Sequence, residues 1–192
     1  MNINGSRDTG ESAAQAARPC SETTARLAPP TEEVHASYLA ALEEYRAEGK
    51  YPDLENLDVA APAAFAQHVA TLRRDGYVEP PEAPWDVPMT LLWFVREGEY
   101  LGRLSIRHRL TPTLEESGGH IGYDVRPSAR GHGHATQMLR ESLPVASDLG
   151  VGRALMICGE SNTASRRVIE RNGGKLWDQR DHRLYFWLPT SP

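Results

Sequence analysis

The most constraining feature of the sequence is a glycine-bearing segment, Arg130-Gly-His-Gly-His-Ala135, that joins two stretches of different periodicity. Ile121 to Val125 reads as a strand, whereas the residues after Gly133 have the spacing of an amphipathic helix. Glycines allow positive φ and leave backbone N–H groups uncovered, and a helix N-terminus adds unpaired N–H groups and a positive dipole end. The sequence therefore predicts a strand, a tight turn and a helix start that together form a nest for a pyrophosphate.

Two other phosphate-binding motifs do not fit this segment. The dinucleotide fingerprint requires a third glycine, and Thr136 occupies that position. The P-loop requires Gly-Lys-Ser/Thr, which the sequence lacks. What remains is the pattern R-x-x-G-x-A after a strand.

A second informative segment follows about thirty residues later. The apolar run from Arg153 to Cys158 predicts a buried strand, and Asn162 stands where a helix N-cap is expected. Asn162 to Arg171 has helical spacing, and Asn172-Gly173-Gly174 supplies a left-handed C-terminal stop.

These two segments, in this order and at this separation, resemble the two acyl-CoA-binding signatures of the GNAT superfamily of N-acetyltransferases. The resemblance covers about Ala25 to Leu188. It implies an α/β fold with a mixed, mostly antiparallel sheet of about seven strands, helices on both faces, and two strands that splay apart around the cosubstrate. It also implies that acetyl-CoA donates its acetyl group to a primary amine, which attacks directly in a ternary complex.

The resemblance further implies which residues contact acetyl-CoA. The nest N–H groups hold the pyrophosphate, the backbone near Val125 donates to the thioester carbonyl, and Asn162 with the following helix start flanks the pantetheine and acetyl end. His132 and His134 are variable positions of the motif, expected to face solvent or the phosphates. The full expected set is Asp124, Val125, Arg126, Arg130, Gly131, His132, Gly133, His134, Ala135, Thr136, Asn162, Ser165 and Arg166.

The catalytic groups are less clearly marked. A primary amine is protonated at neutral pH, so a base must accept a proton. His120, at the start of the strand that leads to the nest, is the first candidate, and Glu116 and Glu115 just before it are the next. Many GNAT enzymes carry a Tyr seven residues after the Asn that protonates the departing thiolate; here Ile169 stands there. Without that Tyr, the departing thiolate could take its proton from water. Ser165 is close in sequence, but we expect it to pack within the helix.

Length and composition predict one domain at 24–192 after a disordered tail at 1–23, and the resemblance implies that this domain is a GNAT acetyltransferase domain. No apolar run is long enough to span a membrane, and the start of the sequence has no apolar stretch typical of a secretory signal. With only Cys20 and Cys158, we expect no disulfide and a cytoplasmic location. The net charge of −5 gives no support for nucleic-acid binding, no metal-ligand spacing is present, and a homodimer is left open.

Hydrophobic periodicity predicts the remaining elements. Two helices, from Thr31 to Gly49 and from Pro62 to about Arg74, each place apolar residues along one face. Pro144 lies in the long helix from Gly133 to Leu149 and is expected to kink or divide it. The other predicted elements are strands at 24–28, 89–95, 100–108, 120–125, 175–179 and 183–188, an irregular segment at 79–88 and a polar loop at 111–119.

Two other functions remain open on the sequence alone. The absence of Tyr at position 169 and of an unambiguous base is compatible with a non-catalytic module that binds or senses acyl-CoA. An acetyltransferase that confers resistance by modifying an antibiotic or secondary metabolite would carry the same two segments. The acceptor, a small molecule or a peptide amine, is expected to be chosen by the first helices and by the loops at 77–88 and 111–119.

Overall fold

The computed structural model describes residues 24–49, 57–74 and 83–191. These residues form seven strands and five α-helices. The strands are β1 (Arg26–Ala28), β2 (Met89–Arg96), β3 (Glu99–Arg107), β4 (Ile121–Val125), β5 (Arg153–Gly159), β6 (Lys175–Arg180) and β7 (Arg183–Pro189). The helices are α1 (His35–Ala47), α2 (Pro62–Arg74), α3 (Pro112–Glu116), α4 (His134–Asp148) and α5 (Thr163–Arg171), with 3-10 turns at Glu32–Val34 and Pro127–Ala129. Among the described helices, none has both the length and the apolar character needed to cross a membrane.

The first sheet has the strand order β1-β2-β3-β4, and every pair in it is antiparallel. β2 and β3 form a hairpin whose two turn residues, Glu97 and Gly98, both have positive φ, as a type I′ turn requires. β1 pairs with β2 although some sixty residues separate them, with Leu27 opposite Phe94. All four strands match the sequence predictions.

The second sheet has the order β5-β7-β6 and is also antiparallel. Asp181 and His182 both have positive φ and join β6 to β7, as the sequence predicted for a final pair. β6 forms the exposed edge of this sheet, and its register with β7 shifts between Leu176 and Asp178.

The two sheets meet where β4 begins and diverge from there. The His120 N–H donates to the Leu155 carbonyl of β5 at 2.7 Å, and no ladder joins β4 to β5 within the described residues. Gly119, with φ +67°, lies so close to Leu155 that a Cβ there would collide with its carbonyl oxygen. The GNAT-type fold is confirmed, but as two antiparallel sheets joined at one point instead of the single mixed sheet that we expected.

Helices cover the sheets on two sides. α1 and α2 enclose an aromatic core in which Tyr38 stacks on Trp93 with ring centroids 4.9 Å apart and lies 5.3 Å from Phe65. α4 and α5 cover the other side, where Met138 of α4 and Ile169 of α5 are fully buried. The apolar side chains along one face of α1, α2 and α4 are buried or half-buried, as predicted, whereas in α5 only Ile169 is fully buried.

Three local predictions need correction or lie outside the described residues. Pro144 lies inside α4 and does not divide it into two helices. The segment at 111–119 is not only a loop, because it contains α3, which Thr111 caps by accepting a hydrogen bond from the Leu114 N–H at 3.4 Å. The predicted disordered tail at 1–23, Cys20 and the first part of the irregular segment at 79–88 lie outside the described residues.

Candidate active site

The nest forms at the carboxyl end of β4, as the sequence predicts. Gly131 and Gly133 have φ of +83° and +81°, and a Cβ at either position would have no neighbour within 4 Å. Within the described part of the chain, the N–H groups of Gly131, His132 and Gly133 donate no backbone hydrogen bond. Gly133 also caps α4 without any side-chain hydrogen bond. The segment therefore presents free N–H groups and a helix start to solvent, which is the arrangement that binds a phosphate.

The Arg130 side chain is hydrogen-bonded to other residues of the protein. Its guanidinium donates to both carboxylate oxygens of Glu48, at 2.5 and 3.1 Å, and to the Val125 carbonyl at 2.9 Å. Asp124 lies 3.7 Å away, and the hydrogen bond to Glu48 raises the Arg130 pKa above its ordinary value. Arg130 therefore fixes the turn against α1, and its charge is shared with carboxylates before any phosphate arrives.

Glu44 of α1 makes the second link between this helix and the loop that precedes the nest. It accepts from the Arg126 guanidinium, and also from the Ser128 N–H and hydroxyl, both at 2.9 Å. Burial alone would raise the Glu44 pKa, but these hydrogen bonds outweigh it and lower the pKa. Arg126, expected at the cosubstrate, is thus directed towards α1.

The two histidines of the nest differ in exposure. His132 is exposed, as expected, whereas His134 is half-buried with its ring 5.6 Å from that of Phe94. Burial, together with Arg96 and His132, lowers the His134 pKa, so its ring is neutral at physiological pH. Neither ring covers the N–H groups of the turn by hydrogen bonding to them.

The start of α5 is built as the sequence predicts. Asn162 accepts a hydrogen bond from the Ser165 N–H at 3.0 Å, and Arg166 lies exposed in an ion pair with Glu170. At the other end, Gly173 has φ +87° and the Gly174 N–H donates to the Ile169 carbonyl, which gives the predicted glycine stop.

Two hydroxyl groups meet between β4 and α5. The Tyr123 and Ser165 hydroxyl oxygens are 2.8 Å apart, and the Cys158 thiol of β5 lies close enough to both residues for them to influence each other electrostatically. Burial raises the pKa of Tyr123 to about 12, and burial also raises the pKa of the Cys158 thiol. Both groups are therefore protonated at neutral pH, and Cys158 is a free, buried thiol.

Position 169, where we noted the absence of a Tyr, does not face the opening. Ile169 is fully buried in the core under α5, in contact range of Gly174. Tyr123 instead brings a phenol to the helix start from the opposite strand. The two GNAT-like segments do not point to Tyr123 because it belongs to a different element from α5, although strand alternation places it on the same face of β4 as Val125.

His120 lies at the junction of the two sheets, with its side chain engaged. Its Nδ1 accepts a hydrogen bond from the Leu155 N–H at 2.9 Å, so the neutral ring carries its proton on Nε2. Burial and the nearby Arg107 guanidinium lower the His120 pKa. The ring can accept an amine proton only by giving up its bond to Leu155, which makes it a weaker base than the sequence suggested.

Glu115 and Glu116 lie exposed at the end of α3, close to the junction. The Glu116 carbonyl accepts from the Tyr185 hydroxyl at 2.9 Å and from Arg183 at 3.3 Å, so β7 holds the end of α3 over the second sheet. His120 and the end of α3 that carries Glu115 and Glu116 therefore both lie near the point where the two sheets meet, but no contact joins the two carboxylates to His120 among the described residues. No group of three metal-ligating side chains occurs among the described residues.

Comparison with known families agrees with this geometry. Residues 26–175 match the profile of the acetyltransferase (GNAT) domain. The chain belongs to the GNAT acetyltransferase family. No relative was found among functionally curated proteins.

Solved GNAT structures share the fold at low sequence identity. RimJ of Mycobacterium smegmatis, solved with CoA-disulfide, is 20% identical with a TM-score of 0.58, over 85% of this chain and 80% of that one. RimL, a ribosomal L7/L12 alpha-N-protein acetyltransferase solved with coenzyme A, is 20% identical with a TM-score of 0.53, over 88% and 94%. PseH of Campylobacter jejuni, an N-acetyltransferase solved with acetyl coenzyme A, is 14% identical with a TM-score of 0.54, over 88% and 100%.

Proposed function

We propose that this GNAT protein is an acetyl-CoA-dependent N-acetyltransferase in which a primary amine attacks the thioester directly in a ternary complex. The observation that carries the proposal is the open nest at Gly131 and Gly133, which adjoins the opening between β4 and β5. The nest suits a pyrophosphate, and the opening between the strands suits the extended arm that follows it.

The nest fits acetyl-CoA because its N–H groups are free and uncovered by side chains. The residues that would hold the phosphates are those from Gly131 to Thr136, and the start of α5 at Asn162 would flank the arm. Bound there, acetyl-CoA supplies an activated acetyl group. Four more charged residues were expected at the cosubstrate: Asp124, Arg126, Arg130 and Arg166. Arg126 and Arg130 form ion pairs with Glu44 and Glu48, so their first role is to stabilise the turn.

Proton removal from the amine falls to groups at the junction. Glu116 and Glu115 are exposed carboxylates on α3 and can accept a proton through water. His120 Nε2–H is a donor in the neutral ring and suits a role in orienting the acceptor or a water molecule. We therefore place the carboxylates ahead of His120 as the base.

Proton delivery to the sulfur leaving group falls to the hydroxyl pair. Tyr123 and Ser165 are hydrogen-bonded to each other between β4 and α5, and either oxygen can donate. Because the pKa of Tyr123 is about 12, the phenol holds its proton throughout the neutral range. This pair offers a proton donor in place of a Tyr at position 169, which bears on one of the two reasons for the alternative of a non-catalytic acyl-CoA-binding module; the other reason, the lack of an unambiguous base, stands.

Isothermal titration with acetyl-CoA, followed by thiol release against a broad panel of small amines and peptides, tests the proposal. We expect saturable binding and turnover on at least one amine, which would also show whether the acceptor is a metabolite to be inactivated. Turnover that survives Cys158→Ala would support direct attack over an acetyl-cysteine intermediate. An absence of binding at millimolar acetyl-CoA would refute the assignment, and tight binding without turnover on any amine would favour the module.

A further inference from the structure

Arg107, the last residue of β3, lies beside the junction of the two sheets. Its backbone N–H donates to the His120 carbonyl at 2.7 Å, and its Nη1 donates to the Gly119 carbonyl at 3.1 Å. The guanidinium also lies against Gly118, because a Cβ at that position would be 3.7 Å from Nη1. These contacts fix one side of the guanidinium against the two glycines that precede His120.

Strand alternation shows which face of the first sheet carries the Arg107 side chain. Leu104 and Ile106 of β3 lie in the core beneath α4, so Arg103 and Arg107 lie on the opposite face. Trp93, in the aromatic core under α1 and α2, lies directly opposite Arg103 and shares that face. Arg107 therefore lies among the elements that we expected to choose the acceptor, namely the first helices and the segment at 111–119.

The positive charge of Arg107 has no counter-charge. The side chain is half-buried, and within the described part of the chain no carboxylate pairs with it. Burial lowers the pKa of Arg107 below its ordinary value. Removing a charge from water costs free energy unless an opposite charge compensates it. Arg126 follows this rule, since Glu44 accepts hydrogen bonds from its guanidinium, whereas Arg107 does not.

The unoccupied edge of this guanidinium has the shape of a carboxylate site. Nη1 donates to Gly119, but Nε and Nη2 donate to no residue that the structure describes. The Nε–H and Nη2–H bonds of a guanidinium are parallel and match the two oxygens of one carboxylate. Glu115 and Glu116 of the neighbouring α3 are exposed and form no ion pair with Arg107. The edge is therefore available to a ligand.

We propose that Arg107 determines acceptor specificity by binding a carboxylate of the acceptor, which is a small molecule that carries both a primary amine and a carboxylate. This inference rests on the proposed function and specifies its substrate class. The acceptor carboxylate supplies the negative charge that Arg107 lacks. A neutral amine would instead leave the guanidinium uncompensated once the bound acceptor excludes water. Anchored at Arg107, the acceptor places its amine beside the junction, where the carboxylates of α3 can accept a proton.

The experiment uses matched acceptors: glycine, β-alanine and γ-aminobutyrate, each compared with its carboxamide. This series varies the distance between amine and carboxylate, and each carboxamide keeps the shape but loses the charge. With the wild-type protein, we expect at least one acid to have a kcat/KM about tenfold or more above that of its carboxamide.

Arg107→Gln should lower kcat/KM for the preferred acid by about tenfold or more, mainly through KM, and for its carboxamide far less. Comparing the same two acceptors in wild type and variant cancels their difference in basicity. Arg107→Lys keeps the charge but not the parallel N–H groups, so it should retain part of the preference. Arg109→Gln is the matched control, because it removes an exposed charge two residues away and should behave as wild type.

Binding of each acid and carboxamide, measured by saturation-transfer NMR with and without CoA, requires no acetyl transfer and so separates this inference from the proposed function. Tighter binding of an acid that Arg107→Gln abolishes supports the carboxylate site even if no acetyl transfer is found. Equal losses for acid and carboxamide would show that Arg107 has only a structural role and would overturn the proposal. So would acids that neither bind nor react better than their carboxamides, or a peptide without acidic side chains that reacts faster than every acid.

Discussion

His120 shows how one hydrogen bond can change the interpretation of a side chain. By sequence it is a candidate base at the mouth of the site; in the structure its Nδ1 is occupied by the Leu155 N–H. It therefore joins the two sheets through its ring as well as through its backbone N–H. Because of this hydrogen bond, His120 contributes to the free energy of unfolding, and this contribution can be measured separately from catalysis.

His120→Asn tests these two roles, because an amide oxygen can replace Nδ1 as the acceptor but does not titrate. The pKa of His120 is lower in the folded protein than its ordinary value of 6.5, so the unfolded state binds more protons below that pH and stability falls as pH falls. We expect His120→Asn to reduce this loss of stability between about pH 7 and 5, measured by urea unfolding. His182→Asn is the control, since the His182 side chain is 96% exposed.

The kinetics of His120→Asn test whether His120 or a carboxylate of α3 accepts the proton from the amine. If a carboxylate of α3 is the base, kcat/KM should change by less than about tenfold at neutral pH. A loss of roughly 10²–10³, shrinking as pH rises, is the result expected for a removed base and would return that role to His120.

Gly133→Asp tests the nest. Open space surrounds the position, so the substitution should cost only about 1–2 kcal/mol for the left-handed conformation. Its carboxylate would repel a phosphate at the turn, and we expect acetyl-CoA binding to be lost in calorimetry. Gly150→Asp is a closely matched control, because Gly150 follows α4 with φ +84° and is equally open. Normal acetyl-CoA affinity in Gly133→Asp would mean that the phosphates bind elsewhere.

Tyr123→Phe tests the hydroxyl pair. Removal of the phenol oxygen leaves Ser165 without its partner and should lower kcat by about 10²-fold, the scale of a lost proton donor. Because the Tyr123 pKa is about 12, the loss should be the same from pH 6 to pH 9. Pre-steady-state measurement of thiol release at several pH values gives the pH dependence of this loss. An unchanged kcat would indicate that water, and not Tyr123, protonates the departing thiolate.

At the scale of elements, α1 acts as a support for the nest. Glu44 of α1 and Glu48, which caps the end of that helix, bind residues in and beside the 3-10 turn after β4, namely Arg126, Ser128 and Arg130. The sequence shows neither pairing, because both join residues more than eighty positions apart. The elements themselves could be predicted from local periodicity, caps and glycine stops, whereas such contacts depend on how the helices dock.

Glu44→Ala should lower the free energy of unfolding by about 2 kcal/mol, since it removes hydrogen bonds to a charged group. The Glu44 pKa is lowered in the folded protein, so its contribution is present above the ordinary glutamate pKa and is lost as pH falls through the folded value. The difference from wild type should therefore be constant near neutrality and shrink below about pH 4. Unfolding curves at several pH values measure it.

Glu43→Ala on the same helix is the control for this effect. Its carboxylate is 74% exposed and, within residues 24–49, 57–74 and 83–191, pairs with Arg46 alone, so its removal should cost less than about 0.5 kcal/mol. Glu44→Ala should also weaken acetyl-CoA binding, because the turn before the nest loses its anchor. Equal costs for Glu43 and Glu44 would show that α1 does not stabilise the turn.

α3 and Tyr123 mark the limit of sequence-based reasoning at this site. The segment at 111–119 has too few apolar residues for a periodic signal, and α3 is only five residues long. It is a helix because Thr111 caps it, Pro112 starts it and Leu114 is buried beneath it. Tyr123 could be placed on a strand face, but its contact with Ser165 requires knowing how far β4 and β5 diverge.

For the molecule as a whole, the two sheets are separate hydrogen-bonded units that meet at His120 and Leu155. A ligand that lies between β4 and α5 would contact both units. Because its site exists only when both units are folded, it would bind the folded protein and not the unfolded one. At a concentration of one hundred times its Kd, acetyl-CoA should stabilise the protein by about 2.7 kcal/mol. For a chain of this length, that is an increase in Tm of about 5–10 °C in thermal unfolding.

Gly133→Asp provides the control for this thermal shift, because its Tm without acetyl-CoA should lie about 2–8 °C below that of wild type and should not increase when acetyl-CoA is added. A ligand-dependent increase of equal size in that variant would place acetyl-CoA elsewhere. A wild-type Tm that does not respond to acetyl-CoA would contradict binding between the two sheets.

The exposed edge strand β6 has a consequence for the behaviour of the protein in solution. Unpaired edge strands can pair with other molecules and seed aggregates, and proteins prevent this with charges and bulges. β6 has both, since Lys175, Asp178 and Arg180 lie along it and its register is broken after Leu176. Any evolutionary or engineered change that neutralises these charges would therefore promote self-association, so the residues that can be accepted along this strand are limited by the solubility of the protein.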